Sequence, residues 1–87
     1  MIRVSAVQPL QGFVLRVTFT DGSQRDIDVD KYLRGPIFEP LRRDPSLFRS
    51  VSVDPELRTL VWPNGADIDP DVLYLNRTPA AWETPAR

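Results

Sequence analysis

The chain has 87 residues, 41% hydrophobic and 26% charged, with eleven basic residues against twelve acidic ones and a net charge of −1. That length holds one domain with one core, which buries about 60–65% of the surface exposed in the unfolded chain. Cysteine and histidine are absent, which removes disulfides, thiol chemistry, iron–sulfur clusters, every Ser-His or Cys-His nucleophile pair, and the commonest general base and transition-metal ligand.

The start, Met1-Ile2-Arg3-Val4, enters a strand pattern without a signal-peptide core. No apolar run approaches the ~18 residues that span a bilayer, so a cytoplasmic address and no membrane partner are expected. A first strand is predicted over 2–8, with Ile2, Val4 and Ala6 on one side and Arg3 and Ser5 on the other, ended by Pro9 and Gly12. Phe13, Leu15, Val17 and Phe19 then alternate with Val14, Arg16, Thr18 and Thr20, the clearest strand in the sequence. Asp21-Gly22 predicts a tight hairpin turn, because glycine accepts positive φ. The return strand, 23–29, turns Ile27 and Val29 inward and Gln24, Asp26 and Asp28 outward, with Asp30 expected to cap the turn Lys31-Tyr32-Leu33.

After Gly35-Pro36, the apolar residues Ile37, Phe38 and Leu41 predict one short helix over 37–43 docked on the sheet, with Pro40 near its start. Asp44-Pro45-Ser46-Leu47-Phe48 predicts a single helical turn with Asp44 as N-cap and Pro45 at the first helical position. Val51 and Val53, the turn Asp54-Pro55-Glu56 and Thr59-Leu60-Val61-Trp62 predict a second hairpin. Pro63 ends it, and Asn64-Gly65 offers a turn that needs positive φ. Asp69-Pro70-Asp71 reads as the start of a short helix that sets Val72, Leu73 and Leu75 against the core, closed by Asn76. From Arg77 to Arg87 there is no period and there are two prolines, which predicts an extended tail in which Trp82 either folds back on the core or awaits a partner. The fold class expected is α+β: a two-layer domain over 1–76, its antiparallel sheet made of a three-stranded meander plus a second hairpin, with short helices on one face.

The chemistry-bearing candidates are few. Asp67, Asp69 and Asp71 have the spacing of the first three ligands of an EF-hand loop. The comparison fails at Val72, where the sharp turn wants glycine, and at Thr78, where a bidentate Glu is needed, so no metal or other cofactor is assigned. No Gly-x-Ser-x-Gly, phosphate-binding loop or dinucleotide fingerprint occurs, and Lys31 is the only lysine. Arg42 and Arg43 could touch phosphates, but no helix-turn-helix follows and the net charge gives no general case for nucleic acid. Trp62 has two readings: an aromatic covering the core edge, or a binding hot spot beside an acidic rim. Basic residues gather at Arg34, Arg42, Arg43 and Arg49 and acidic ones at Asp67, Asp69 and Asp71; two such faces are read either as solvated surfaces or as suited to a protein partner or a second copy of the chain as a homodimer.

Phe19-Thr20-Asp21-Gly22, Asp28-Val29-Asp30-Lys31-Tyr32-Leu33, Ile37-Phe38-Glu39-Pro40-Leu41, Leu47-Phe48 and above all Val61-Trp62-Pro63-Asn64-Gly65-Ala66-Asp67-Ile68-Asp69-Pro70-Asp71-Val72-Leu73-Tyr74 resemble the small bacterial family labelled domain of unknown function 2442. The resemblance runs from about Ile2 to Tyr74. It implies a compact α+β domain, sometimes followed by a helix-turn-helix domain, and often encoded beside another small protein as the antitoxin-like member of a pair. It implies no catalytic residue. The function expected is thus a non-catalytic protein-interaction module, antitoxin-like, with Trp62, Asn64, Asp67, Asp69, Asp71, Arg42, Arg43 and Trp82 as interaction candidates and a small protein encoded nearby as partner. The alternatives are a small metal-dependent hydrolase built on Asp67, Asp69 and Asp71, or a DNA-binding accessory acting through Arg42 and Arg43.

Overall fold

Strand β2 (Val14–Phe19) carries the strict alternation noted above, and in the computed structural model, which describes residues 2–75, Leu15, Val17 and Phe19 are buried. It lies between β1 (Val4–Pro9) and β3 (Gln24–Asp28) in an antiparallel sheet. The β2–β3 turn is a three-residue loop: Gly22 N–H donates to Phe19 O at 2.9 Å, Phe19 N–H donates to Ser23 O at 2.8 Å, and Gly22 takes φ +90°. On β1 the expected inward set Ile2, Val4 and Ala6 is corrected. The register passes from Val4↔Phe19 to Ala6↔Thr18, so Ser5 is an extra residue in a bulge and every side chain beyond it changes face. Ala6 is exposed, while Val7, opposite Val17, is half-buried.

Beyond β3 a 3₁₀ turn (Val29–Tyr32) buries Val29 and Tyr32. Its N-cap is Asp28, whose side chain accepts from Asp30 N–H, rather than Asp30 as expected; the helical turn begins two residues earlier than the expected Lys31-Tyr32-Leu33. Helix α1 (Glu39–Arg43) starts two residues later than predicted. Pro40 therefore falls in its first turn, where its missing N–H leaves no bond unmade, and Ile37 stays outside at 46% exposure while Leu41 is buried. Helix α2 (Pro45–Phe48) is capped as expected, Asp44 Oδ1 accepting from Ser46 N–H at 3.0 Å and Leu47 N–H at 3.3 Å.

The second half holds a second sheet of three strands, β4 (Ser52–Val53), β5 (Leu60–Val61) and β6 (Asp67–Ile68), all antiparallel. The predicted hairpin thus gains a third strand, with Leu60↔Ile68 and Val61↔Asp67. Two residues are too few to display a period, yet β6 obeys the alternation, Ile68 buried and Asp67 exposed. Helix α3 (Pro70–Tyr74) follows Asp69, whose Oδ1 accepts from Asp71 N–H at 2.9 Å. Its inner stripe is Pro70, Leu73 and Tyr74 at the i, i+3, i+4 positions, so Leu75 falls off the stripe and is 52% exposed, correcting its expected place in the core. The expected tail 77–87, with Trp82, lies outside the described residues, as does the Asn76 stop.

Both sheets share one core. Val4, Leu15, Val17 and Phe19 come from the first, Leu60 and Ile68 from the second, and Leu41, Phe48 and Leu73 from the helices. A row of rings, Phe13 to Phe48 (5.1 Å), Phe48 to Trp62 (6.0 Å) and Trp62 to Phe38 (6.3 Å), carries aromatic contact from the start of β2 to the second sheet. The halves also join through main chain, Val4 N–H donating to Arg58 O at 2.9 Å. Among the described residues the architecture is α+β, two antiparallel three-stranded sheets with short helices. No helix among the described residues is long and apolar enough to cross a membrane.

Candidate functional site

The segment 62–71 is a strand end, a turn, a two-residue strand and a capped helix start, and most of its side chains hold that path. Trp62 is 3% exposed and donates its Nε1–H to Phe48 O at 2.9 Å. The indole therefore serves the core, and of its two sequence readings the geometry gives the first. Pro63, Asn64 and Gly65 form the β5–β6 loop, with Gly65 N–H to Trp62 O at 3.0 Å, Trp62 N–H to Ala66 O at 2.9 Å and Gly65 at φ +93°. Asn64 works in both directions: Oδ1 accepts from Ala66 N–H at 3.1 Å, and Nδ2 donates to Ile37 O at 2.9 Å, fastening the turn to the segment before α1. Asn64 is thus a turn residue that ties two loops together.

Asp67 and Asp69 are different. Both are exposed, and with Tyr32, Arg34, Phe38, Ile68 and Val72 they border a recess of ≈ 280 Å³. Its walls combine two aromatic and two aliphatic side chains, while two carboxylates and one guanidinium supply opposite charges. Strand β6 puts Asp67 outward because Ile68 must face the core; Asp69 is placed by capping α3. Asp71 is exposed on the first turn of α3 and does not line the recess. Among the described residues no three carboxylates come together in a way that could hold a metal ion.

Arg34 is the recess residue that the sequence reading named only as part of a charge cluster. It follows the 3₁₀ turn, its N–H donating to Tyr32 O at 3.0 Å and its Nε to Lys31 O at 3.3 Å, and it also borders a second hollow of ≈ 340 Å³ with Asp30, Glu39 and Arg42. Isolated between Leu33 and Gly35, it carries no sequence signal beyond its charge. The arginine pair expected to act together is divided. Arg42 bonds the Asp30 carboxylate and lies 5.4 Å from the Phe13 ring, whereas Arg43 is exposed beside Glu39 at 3.7 Å. Trp82, the remaining candidate, lies outside the described residues.

The carboxylates whose acidity departs from the ordinary range lie elsewhere. Asp21 is held low by the Ser23 hydroxyl, Asp26 by the Arg16 guanidinium, Asp44 by the Ser46 hydroxyl and Asp54 by the Leu57 amide. Three of these are turn or cap residues and the fourth is a cross-strand ion pair, so each shift has a structural cause.

Fold and site together define a small α+β domain whose most distinctive segment is spent on a turn and which carries an apolar recess bordered by Arg34, Asp67 and Asp69. The family model described as protein of unknown function (DUF2442) matches residues 4–79, and the chain belongs to that family. No curated protein and no solved structure matches the chain.

Proposed function

We propose that the chain is a non-catalytic protein-interaction module, the antitoxin-like half of a two-gene pair whose partner is a small protein encoded beside it. The observation that supports docking is the recess between Arg34 and the Asp67 and Asp69 carboxylates. Apolar walls under charges of both signs suit a partner side chain with an apolar stem and a polar end. The non-catalytic part is supported by the lack of histidine and cysteine and by the carboxylates with shifted acidity, none of which borders the recess. The antitoxin-like part is supported only by the gene pairing that the family resemblance implies.

Co-expression with the neighbouring gene product tests the reading. A stable complex that co-elutes is the expected result, and two proteins that never co-elute would overturn it. Asp67→Lys reverses one charge on the recess without touching the core. It is expected to abolish co-elution while leaving Tm within about 3 °C, as for an exposed substitution.

A further inference from the structure

Among the described residues the first sheet ends at β3, and the register shows which of its backbone groups face outward. Phe19 N–H donates to Ser23 O and Val29 N–H to Phe13 O, so the odd-numbered residues of β3 face β2. The N–H and C=O groups of Gln24, Asp26 and Asp28 therefore point away from β2, on the side where, among the described residues, the sheet has no further strand. Along that edge runs a groove of ≈ 550 Å³ lined by Arg25, Asp26, Ile27, Asp28, Asp30, Lys31 and Leu73. Backbone groups spaced for a ladder and a hollow beside them are the two things an incoming strand requires.

Charge decides what kind of strand fits. Two copies pairing antiparallel along this edge meet like charges in each central register: Asp26 opposite Asp26 when centred on Asp26, Asp26 opposite Asp28 when centred on Ile27, and Arg25 opposite Arg25 when centred on Arg25. A second copy is thus disfavoured. An incoming strand with basic residues on one face sets them against Asp26 and Asp28, and apolar residues on its other face reach Ile27 and Leu73. Asp26 is tied to Arg16 at 2.8 Å and Asp28 caps Asp30 N–H at 3.0 Å, which fixes both carboxylates on that face. We infer that the open edge of β3 accepts an extended segment of a partner protein in which Lys or Arg alternates with apolar residues. This rests on reading the chain as a protein-interaction module, and it assigns a second contact surface on the first sheet, distinct in its lining from the Asp67 recess.

The test is amide hydrogen exchange on the full chain with the peptide Lys-Val-Lys-Val-Lys, and with Glu-Val-Glu-Val-Glu as the control. The Asp26 and Asp28 amides are expected to exchange freely in the chain alone and to slow about tenfold with the lysine peptide at ten times its Kd. The Arg25 and Ile27 amides, already facing β2, should not change. The double substitution Asp26→Asn and Asp28→Asn removes both charges while retaining an oxygen that can cap the 3₁₀ turn, and it should remove the slowing. Slow exchange at Asp26 without peptide, equal slowing by both peptides, or no slowing by either would each overturn the inference. The outcome is separable from that of co-expression. A co-eluting complex that leaves the Asp26 and Asp28 amides unprotected would retain the interaction role and remove the edge, whereas peptide protection without co-elution would do the reverse.

Discussion

Trp62 shows how a side chain that could serve an interface is claimed by the interior. Its indole N–H meets Phe48 O at 2.9 Å between the rings of Phe48 and Phe38. Trp62→Phe keeps most of the apolar volume but removes the shorter of the two hydrogen bonds to Phe48 O, leaving Val51 N–H at 3.3 Å, an expected loss of about 1 kcal/mol, read from the denaturation midpoint. A loss of partner binding with unchanged stability would instead return Trp62 to the surface. Asp69 makes the complementary case. As the N-cap of α3 it accepts from Asp71 N–H, and Asp69→Ala is expected to cost about 1 kcal/mol, measured in the same way, with Asp69→Asn retaining most of it.

Between them the elements use one turn twice. Phe19 to Ser23 and Trp62 to Ala66 have the same pair of main-chain bonds, a glycine of positive φ at the fourth place, and an Asp or Asn two residues before the end whose Oδ1 takes the last amide. Gly65→Ala forces a side chain into a left-handed conformation and is expected to lower stability by about 1–2 kcal/mol, although open space surrounds the added methyl. Both turns were legible because Asp-Gly and Asn-Gly name their own geometry, and both Asp-Pro helix starts were legible for the same reason. The bulge at Ser5 was not, since the alternation of Ile2, Val4 and Ala6 continues through it unbroken in the sequence and only pairing with β2 reveals the extra residue. Strand β6 was hidden by its length, and the choice between Asp28 and Asp30 as cap by their equal suitability. The recess was half legible: the two aspartates stood out, but Arg34 joins them only through tertiary packing.

Across the whole molecule, acid and alkali are expected to act on different contacts. Asp21, Asp26, Asp44 and Asp54 have lowered pKa values in the folded state, so their stabilisation is complete above the ordinary carboxylate value of about 3.9 and is lost as pH falls through their folded values. Tyr74, raised by its hydrogen bond to Asp21, contributes below the ordinary phenol value of about 10 and loses that contribution as pH rises through its folded value. With no histidine, Tm is expected to stay level from about pH 5 to 8, and Tyr74→Phe should make the alkaline fall shallower. The same Tyr74 contact bears on the order of folding. Each sheet is one uninterrupted stretch of chain, 4–28 and 52–68, so its pairing closes short loops, whereas Tyr74 reaches Asp21 across 53 positions and meets Phe19 at 5.0 Å. Closing that span is the costly search, and it becomes favourable only once the first hairpin exists to receive the ring. Removing the Tyr74 hydroxyl is therefore expected to speed unfolding and leave the refolding rate nearly unchanged in stopped-flow measurements. The first hairpin would then act as the template on which the end of α3 settles last.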